Sequence, residues 1–173
     1  MTNLSSNDFE LFGLAEKFAQ DHARIDERWK QLQREAHPDR FAAQGAAAQR
    51  IAMQWSVRIN EAYKRLKDPL KRAGYLCELR GSPVDAENNT AMPAEFLMEQ
   101  MQWREELDEA RSEEDLDKLE EELHRARAET LKEIERLLDK DGDSKAAAGK
   151  VRALMFIERF GHDVEMRFAQ LGQ

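Results

Sequence analysis

A single cysteine, Cys77, stands in 173 residues. It can close no intrachain disulfide and alone makes no metal site, so a reducing compartment, the cytoplasm, is expected. Proline and glycine are also sparse, at 4 and 8 residues. β-Branched residues are few and never alternate over a useful length, which removes the pattern a half-buried strand needs. No uncharged run approaches the roughly 20 residues that span a bilayer. The first residues, MTNLSSNDFE, offer neither a basic start nor an apolar stretch, which argues against a secretory signal and an Arg-rich transit peptide. Fixed-period repeats, a Gly-rich phosphate loop and a supported Ser/His/Asp arrangement are all missing, so an enzyme is not expected.

What is present is charge and helical periodicity. Hydrophobic residues make up 41% and charged residues 36%, too apolar for a disordered chain and too charged for a membrane protein. The net charge of −8 is unevenly spread: residues 1–80 carry 14 Lys+Arg against 11 Asp+Glu, and residues 81–173 carry 13 against 24. A mildly basic half joined to a strongly acidic one suggests two modules with different partners. The acidic half repels phosphates, so nucleic acid is not expected as a ligand.

The boundary falls at GSPVDAENNTAMP, Gly81 to Pro93, where turn-formers concentrate. The expected organisation is a first domain over 1–80, a linker over 81–92 and a second domain over 93–173. In the first, Asp8 to Leu14 forms a short apolar helix. Asp21 caps a second helix whose face is Ile25, Trp29, Leu32 and Ala36, and Pro38 stops it at His37. A third runs from Ala46 to Leu66 with Ile51, Trp55, Ile59, Ala62 and Leu66 on one side. Asp68-Pro69 breaks the chain before a fourth, Leu70 to Leu79. In the second domain, Pro93 opens a helix to about Ala110. Ser112-Glu113-Glu114-Asp115 matches a capping box for the next, whose stripe is Leu116, Leu119, Leu123, Ala126, Thr130, Ile134 and Leu137. The last carries Leu154, Ile157, Gly161, Val164, Phe168 and Leu171. Three amphipathic helices with short connections close into an antiparallel bundle. The fold class is therefore all-α.

Two local features stand out. His37-Pro38-Asp39 sits where the second helix ends. Pro38 has a fixed φ and no N–H, which makes a rigid corner, and Asp39 projects a carboxylate that can accept bidentate bonds from a partner's arginine. Lys30, Arg34 and Arg40 lie near this corner, and Arg28 lies further back on the same helix. The plainer reading is an ordinary turn with Asp39 as a cap. The second feature is surplus apolar surface on the Pro93–Ala110 helix. At about 100° per residue, Phe96, Gln100, Trp103, Leu107 and Ala110 form one face, and Leu97, Met98 and Met101 form another with Glu105 among them and Gln102 beside them. On the last helix Phe156 sits roughly 100° from its stripe centre. One helix cannot bury two faces in its own bundle, so the second meets either the first domain or a partner.

The sequence resembles a J-domain, and more narrowly the iron–sulfur co-chaperone family of the HscB type. Asp8-Phe9-Glu10-Leu11-Phe12-Gly13-Leu14 is similar to that family's first-helix signature and His37-Pro38-Asp39-Arg40-Phe41 to its loop. Ile59-Asn60-Glu61-Ala62-Tyr63, Asp68-Pro69, Arg72-Ala73 and Tyr75-Leu76 are similar to its third and fourth helices. Phe96-Leu97-Met98-Glu99-Gln100 and Arg104-Glu105-Glu106-Leu107 resemble its carboxy-terminal domain. The resemblance implies a J-domain, a helical hairpin with short flanking helices, followed by a scaffold-binding three-helix bundle. It implies that His37, Pro38 and Asp39 trigger ATP hydrolysis by a DnaK-type chaperone of the HscA form, with Arg28, Lys30, Arg34 and Arg40 docking its acidic surface. It further implies that Leu97, Met98, Met101, Gln102, Glu105 and Phe156 bind the IscU-type iron–sulfur scaffold. Two positions depart from the pattern: Ala36 replaces a larger apolar residue, and Gln102 replaces a common acidic one. The amino-terminal cysteine pairs by which some eukaryotic members bind zinc are missing, so no metal function carries over. No cofactor, nucleic acid or membrane partner is expected; a monomer is compatible with the sequence, which leaves self-association open.

Other signals are weaker. Asp139, Asp141 and Asp143 alternate like a calcium loop, but Ser144 holds the glycine position and Lys150 that of the bidentate glutamate. His22, His124 and His162 have no partners at ligand spacing. Two competing functions remain open at this stage: a J-domain protein serving a general chaperone with other clients, and a helical adaptor in which His37-Pro38-Asp39 is only a turn.

Overall fold

Asn7 starts the first helix by taking the place of a missing intrahelical partner. Its side chain accepts the Glu10 N–H at 2.9 Å, and the Glu10 carboxylate reaches back to the Asn7 N–H at 3.3 Å. This reciprocal cap satisfies two donors that a helix start leaves open. The helix, α1 (Asp8–Phe12), stops at Gly13, whose φ of +65° suits glycine. The computed structural model describes residues 2–172 and continues with α2 (His22–Ala36), a 3-10 turn over Pro38–Gln44, α3 (Ala46–Lys67) and α4 (Pro69–Leu79). Then follow α5 (Ala94–Glu109), α6 (Glu113–Glu135), a π-helical turn over Arg136–Lys140, and α7 (Ser144–Leu171). Among the described residues there is no strand. The chain divides between Leu76 and Cys77 into two compact units.

In the first unit α2 and α3 form an antiparallel hairpin held by polar pairs in reverse order. Asp26 receives bonds from Tyr63 (2.7 Å) and from Lys67, Trp29 Nε1 donates to Asn60 at 2.9 Å, and Gln33 meets Ser56 and Asn60. The Lys67 ammonium and the Tyr63 hydroxyl hold the Asp26 carboxyl below its ordinary range. Phe9, Phe12, Ile25, Ile59 and Leu66 fill the core between α1 and the hairpin. Asp8 is fully buried and closes this arrangement. Arg65 grips it through two bonds of 2.7 and 2.8 Å, Arg58 approaches to 2.8 Å, and the Tyr75 hydroxyl accepts the Asp8 N–H at 3.0 Å. Arg72, also buried, donates to the carbonyls of Phe18 and Leu66. Ile51 departs from the expected core face and is 56% exposed. The physical reason is Ala36: α2 ends in a methyl group, too small to cover Ile51, and leaves a gap of about 460 Å³ lined by Leu32, Ala36, Phe41, Ile51 and Trp55.

The second unit contains the expected antiparallel bundle. Leu116, Leu119, Leu123 and Ile134 of α6 are buried, as are Leu154, Ile157 and Val164 of α7. Ser112 caps α6 by accepting the Asp115 N–H at 3.2 Å, but the Asp115 carboxylate returns to the N–H of Arg111 at 3.0 Å. α7 buries far more than a stripe, adding Ala147, Ala148, Val151, Ala153, Phe156 and Phe160. Its Arg152 is buried too and donates to the carbonyls of Val84 (2.9 Å) and Ala91 (2.8 Å), which fastens residues 84–91 to the bundle. Cys77 has no solvent exposure, and burial pushes its thiol up to about 11, which leaves it unreactive at neutral pH.

Like charges face one another across α5 and α6. Partial burial and Glu122 raise the Glu106 carboxyl above its ordinary range; partial burial and Glu129 do the same to Glu99. A raised carboxyl pKa means that folding favours the neutral form, so this contribution to stability is lost as pH rises through the carboxylate range. Glu106→Gln is expected to raise stability at pH 7 by about half a kcal/mol or less and to have no effect below the carboxylate range. Thermal melts at the two pH values check this. Asp8→Ala is expected to cost about 2–3 kcal/mol, because it removes the buried acceptor that joins α1 to α3, while Arg65 stays 40% exposed to water and Arg58 keeps the Ser6 carbonyl. Urea unfolding measures that loss.

Candidate functional site

The corner after α2 follows from Pro38. A residue before proline avoids helical geometry, and His37 is accordingly extended at φ −60°, ψ 129°. Pro38 then opens the 3-10 turn at its first position, where its missing N–H costs nothing. Three bonds tie the corner down. His37 Nδ1 accepts the Asp39 N–H at 3.2 Å, the His37 carbonyl accepts the Arg40 N–H at 3.0 Å, and Arg40 Nη1 donates to the Arg34 carbonyl at 3.0 Å. That last bond satisfies one of the orphan carbonyls at the end of α2. The Asp39 side chain is 92% exposed and the His37 ring 56%. A charged acceptor is thus held in open solvent on a backbone that has little freedom to turn.

The basic residues around the corner differ in their surroundings. Lys30, Arg34 and Arg40 are exposed. Arg28 is half-buried: its Nε donates to the Phe12 carbonyl at 2.9 Å and its Nη1 to Gln31 at 2.6 Å, so it clamps the end of α1.

On the bundle, α5 turns Phe96 and Trp103 inward and carries Leu97, Met98 and Met101 on its outer face, at 46%, 75% and 72% exposure. Met98 and Met101 line a shallow depression with Glu95, Glu99, Gln102 and Glu105. Gln102 donates to Glu106 at 3.2 Å. The lining of the depression thus combines two methionines with three glutamates and one glutamine. Glu95 and Glu99 join the patch beyond the expected residues: Glu95 lies three positions before Met98 and Glu99 three before Gln102, a spacing that sets side chains of successive turns beside each other.

Phe156 does not join the exposed patch, which corrects the sequence-based expectation. It lies in the bundle core, edge-on to Phe96 at 5.8 Å and stacked with Phe160 at 5.8 Å, with the Arg104 guanidinium 5.4 Å above its ring. The reason is the position of α7. It packs against two helices, so its apolar arc must be wider than one stripe, and a residue 100° from the stripe centre faces α5.

The aspartates that alternate after α6 have structural duties. Asp141 pairs with Arg136 at 2.8 Å, and Asp143 caps α7 by accepting the Ala146 N–H at 3.0 Å. Among the described residues no group of three or more His, Cys, Asp or Glu is placed to hold a metal, and no helix is long and apolar enough to cross a membrane.

Comparison with known proteins converges on one family. Residues 92–165 match the family described as the HSCB C-terminal oligomerisation domain. The co-chaperone protein HscB homolog of Burkholderia multivorans is 48% identical over 173 residues, covering 99% of each chain. The solved structure of chaperone HscB from Vibrio cholerae is 35% identical, with a TM-score of 0.80 over 96% of this chain and 99% of that one. The crystal structure of human co-chaperone protein HscB is 26% identical, with a TM-score of 0.84 over 96% and 84%. Likeness over the whole length places the chain in the HscB co-chaperone family: it is a J-domain joined to a helical bundle.

Proposed function

We propose that this co-chaperone carries an IscU-type iron–sulfur scaffold on its bundle to a DnaK-type ATPase of the HscA form and triggers ATP hydrolysis there. The observation that carries this reading is the pairing, in one chain, of two exposed features of opposite chemistry: the fixed Asp39 carboxylate and the apolar Met98/Met101 face. The catalytic groups belong to the ATPase. A bistable ATPase is pushed towards one state by any ligand that contacts that state better, and a rigid corner with a fixed charge loses little entropy on making such contacts. Lys30, Arg34 and Arg40 supply an exposed positive face for an acidic partner, while Arg28 supports that face from beneath. On the bundle, Leu97, Met98 and Met101 form the contact for the scaffold. Methionine chains adapt to the shape they meet, and Glu95, Glu99 and Glu105 favour a partner with a basic rim. Phe156 acts from below by holding Phe96 and α5 in place. We place the protein in the cytoplasm with these partners. A second reading follows from the matched family's description as an oligomerisation domain. In it the same apolar face joins two copies of this chain, and a sedimentation mass of twice the chain's mass would favour it.

Asp39→Asn is expected to remove ATPase stimulation while scaffold binding and helicity stay at wild-type levels. Steady-state turnover of the purified ATPase tests this, and full stimulation by the variant would overturn the role given to the corner. Leu97→Ala with Met98→Ala is expected to weaken scaffold binding roughly tenfold or more. The melting temperature should move little, because exposed side chains cost about 0.5 kcal/mol or less to truncate. Titration calorimetry and a thermal melt of the same variant measure both quantities.

A further inference from the structure

The bond between His37 and Asp39 has a direction, and the direction matters. Pro38 has no N–H, so the first backbone donor of the 3-10 turn is that of Asp39. It sits at the second position, the one that an N-cap side chain satisfies. His37 Nδ1 accepts it at 3.2 Å. A ring nitrogen that accepts carries no proton, so the ring proton is on Nε2. Asp39 Oδ2 lies 3.7 Å from the same Nδ1. In this tautomer that approach is lone pair to carboxylate and not an ion pair, and the Asp39 side chain is 92% exposed.

From this geometry we infer that His37 is a positioning residue: it caps the turn and aims Asp39 instead of contacting the partner itself. The ring has no other bonded partner at this corner that would fix its place. Arg40 fastens the far side of the turn to the Arg34 carbonyl, so the cap and this bond together restrain the backbone that carries Asp39. A short side chain with an acceptor oxygen would serve equally well, whereas an alanine has no acceptor to offer. This inference rests on the ATPase-triggering role proposed for Asp39, and the test separates the two.

Two measurements on the full chain need no partner. Long-range ¹⁵N–¹H correlation is expected to show His37 protonated at Nε2, and the Asp39 amide is expected to exchange about fivefold faster in His37→Ala than in wild type. An Nδ1–H tautomer, or equal exchange rates, overturns the cap. The third measurement is ATPase stimulation. His37→Asn, an ordinary N-cap residue, is expected to keep most of the maximal stimulation, and His37→Ala to lose most of it. If His37→Asn protects the Asp39 amide yet fails as completely as His37→Ala, the ring is a direct contact and the inference is wrong. If the wild-type protein stimulates no ATPase, the triggering role fails, and the tautomer and exchange rates still decide whether His37 caps the turn.

Discussion

One carboxylate without access to water organises the amino-terminal unit. Asp8 sits at the start of α1, yet the groups that neutralise it come from α3, and the hydroxyl that takes its N–H comes from α4. An isolated buried charge is too costly to keep, so these elements must meet in a single register. That register sets where α1 lies against the hairpin. Arg28 of α2 then ties the carboxyl end of α1 to the hairpin from the other side. The rigid base on which the corner stands is built from these two charge-to-backbone and charge-to-charge links, with the aromatic and aliphatic core filling the space between them.

The corner and the outer face of α5 are built by different means. At the corner the chain uses backbone constraints: a proline, a capped turn and an arginine reaching back to a helix end. On the bundle α5 is locked from below by Phe96, Trp103 and the rings of α7, while methionines on its outer side stay exposed. The gap left by Ala36 shows that the hairpin end next to the corner is not packed to the density of the base. The loop is held by hydrogen bonds more than by buried surface, since none of Pro38–Gln44 is buried.

Charge is divided unevenly along the chain: the amino-terminal residues are mildly basic and the carboxy-terminal residues strongly acidic. The acidity of the bundle is not free of cost. Glu99 and Glu106 face Glu129 and Glu122 across the α5–α6 seam, and partial burial, with the repulsion between these like charges added, raises both carboxyls above their ordinary range.

Most of the architecture was legible from periodicity and punctuation. Helical stripes, Asp21, Ser112, Pro38 and the Asp68-Pro69 break marked the elements, because caps and proline geometry act within a few residues of chain. The family motifs likewise pointed to His37-Pro38-Asp39 and to the surplus face of α5. Tertiary structure alone decided what depends on distant neighbours. Ile51 is exposed because α2 ends in an alanine opposite it, and Phe156 is buried because α7 serves two helices. Asp8 and Arg152 are buried because carbonyls or guanidinium groups from far along the chain receive them. Local sequence determines which face of a helix is apolar, since that is a matter of spacing. Whether that face finds cover, and whether a charge finds a partner, is settled only when the chain brings remote residues into contact.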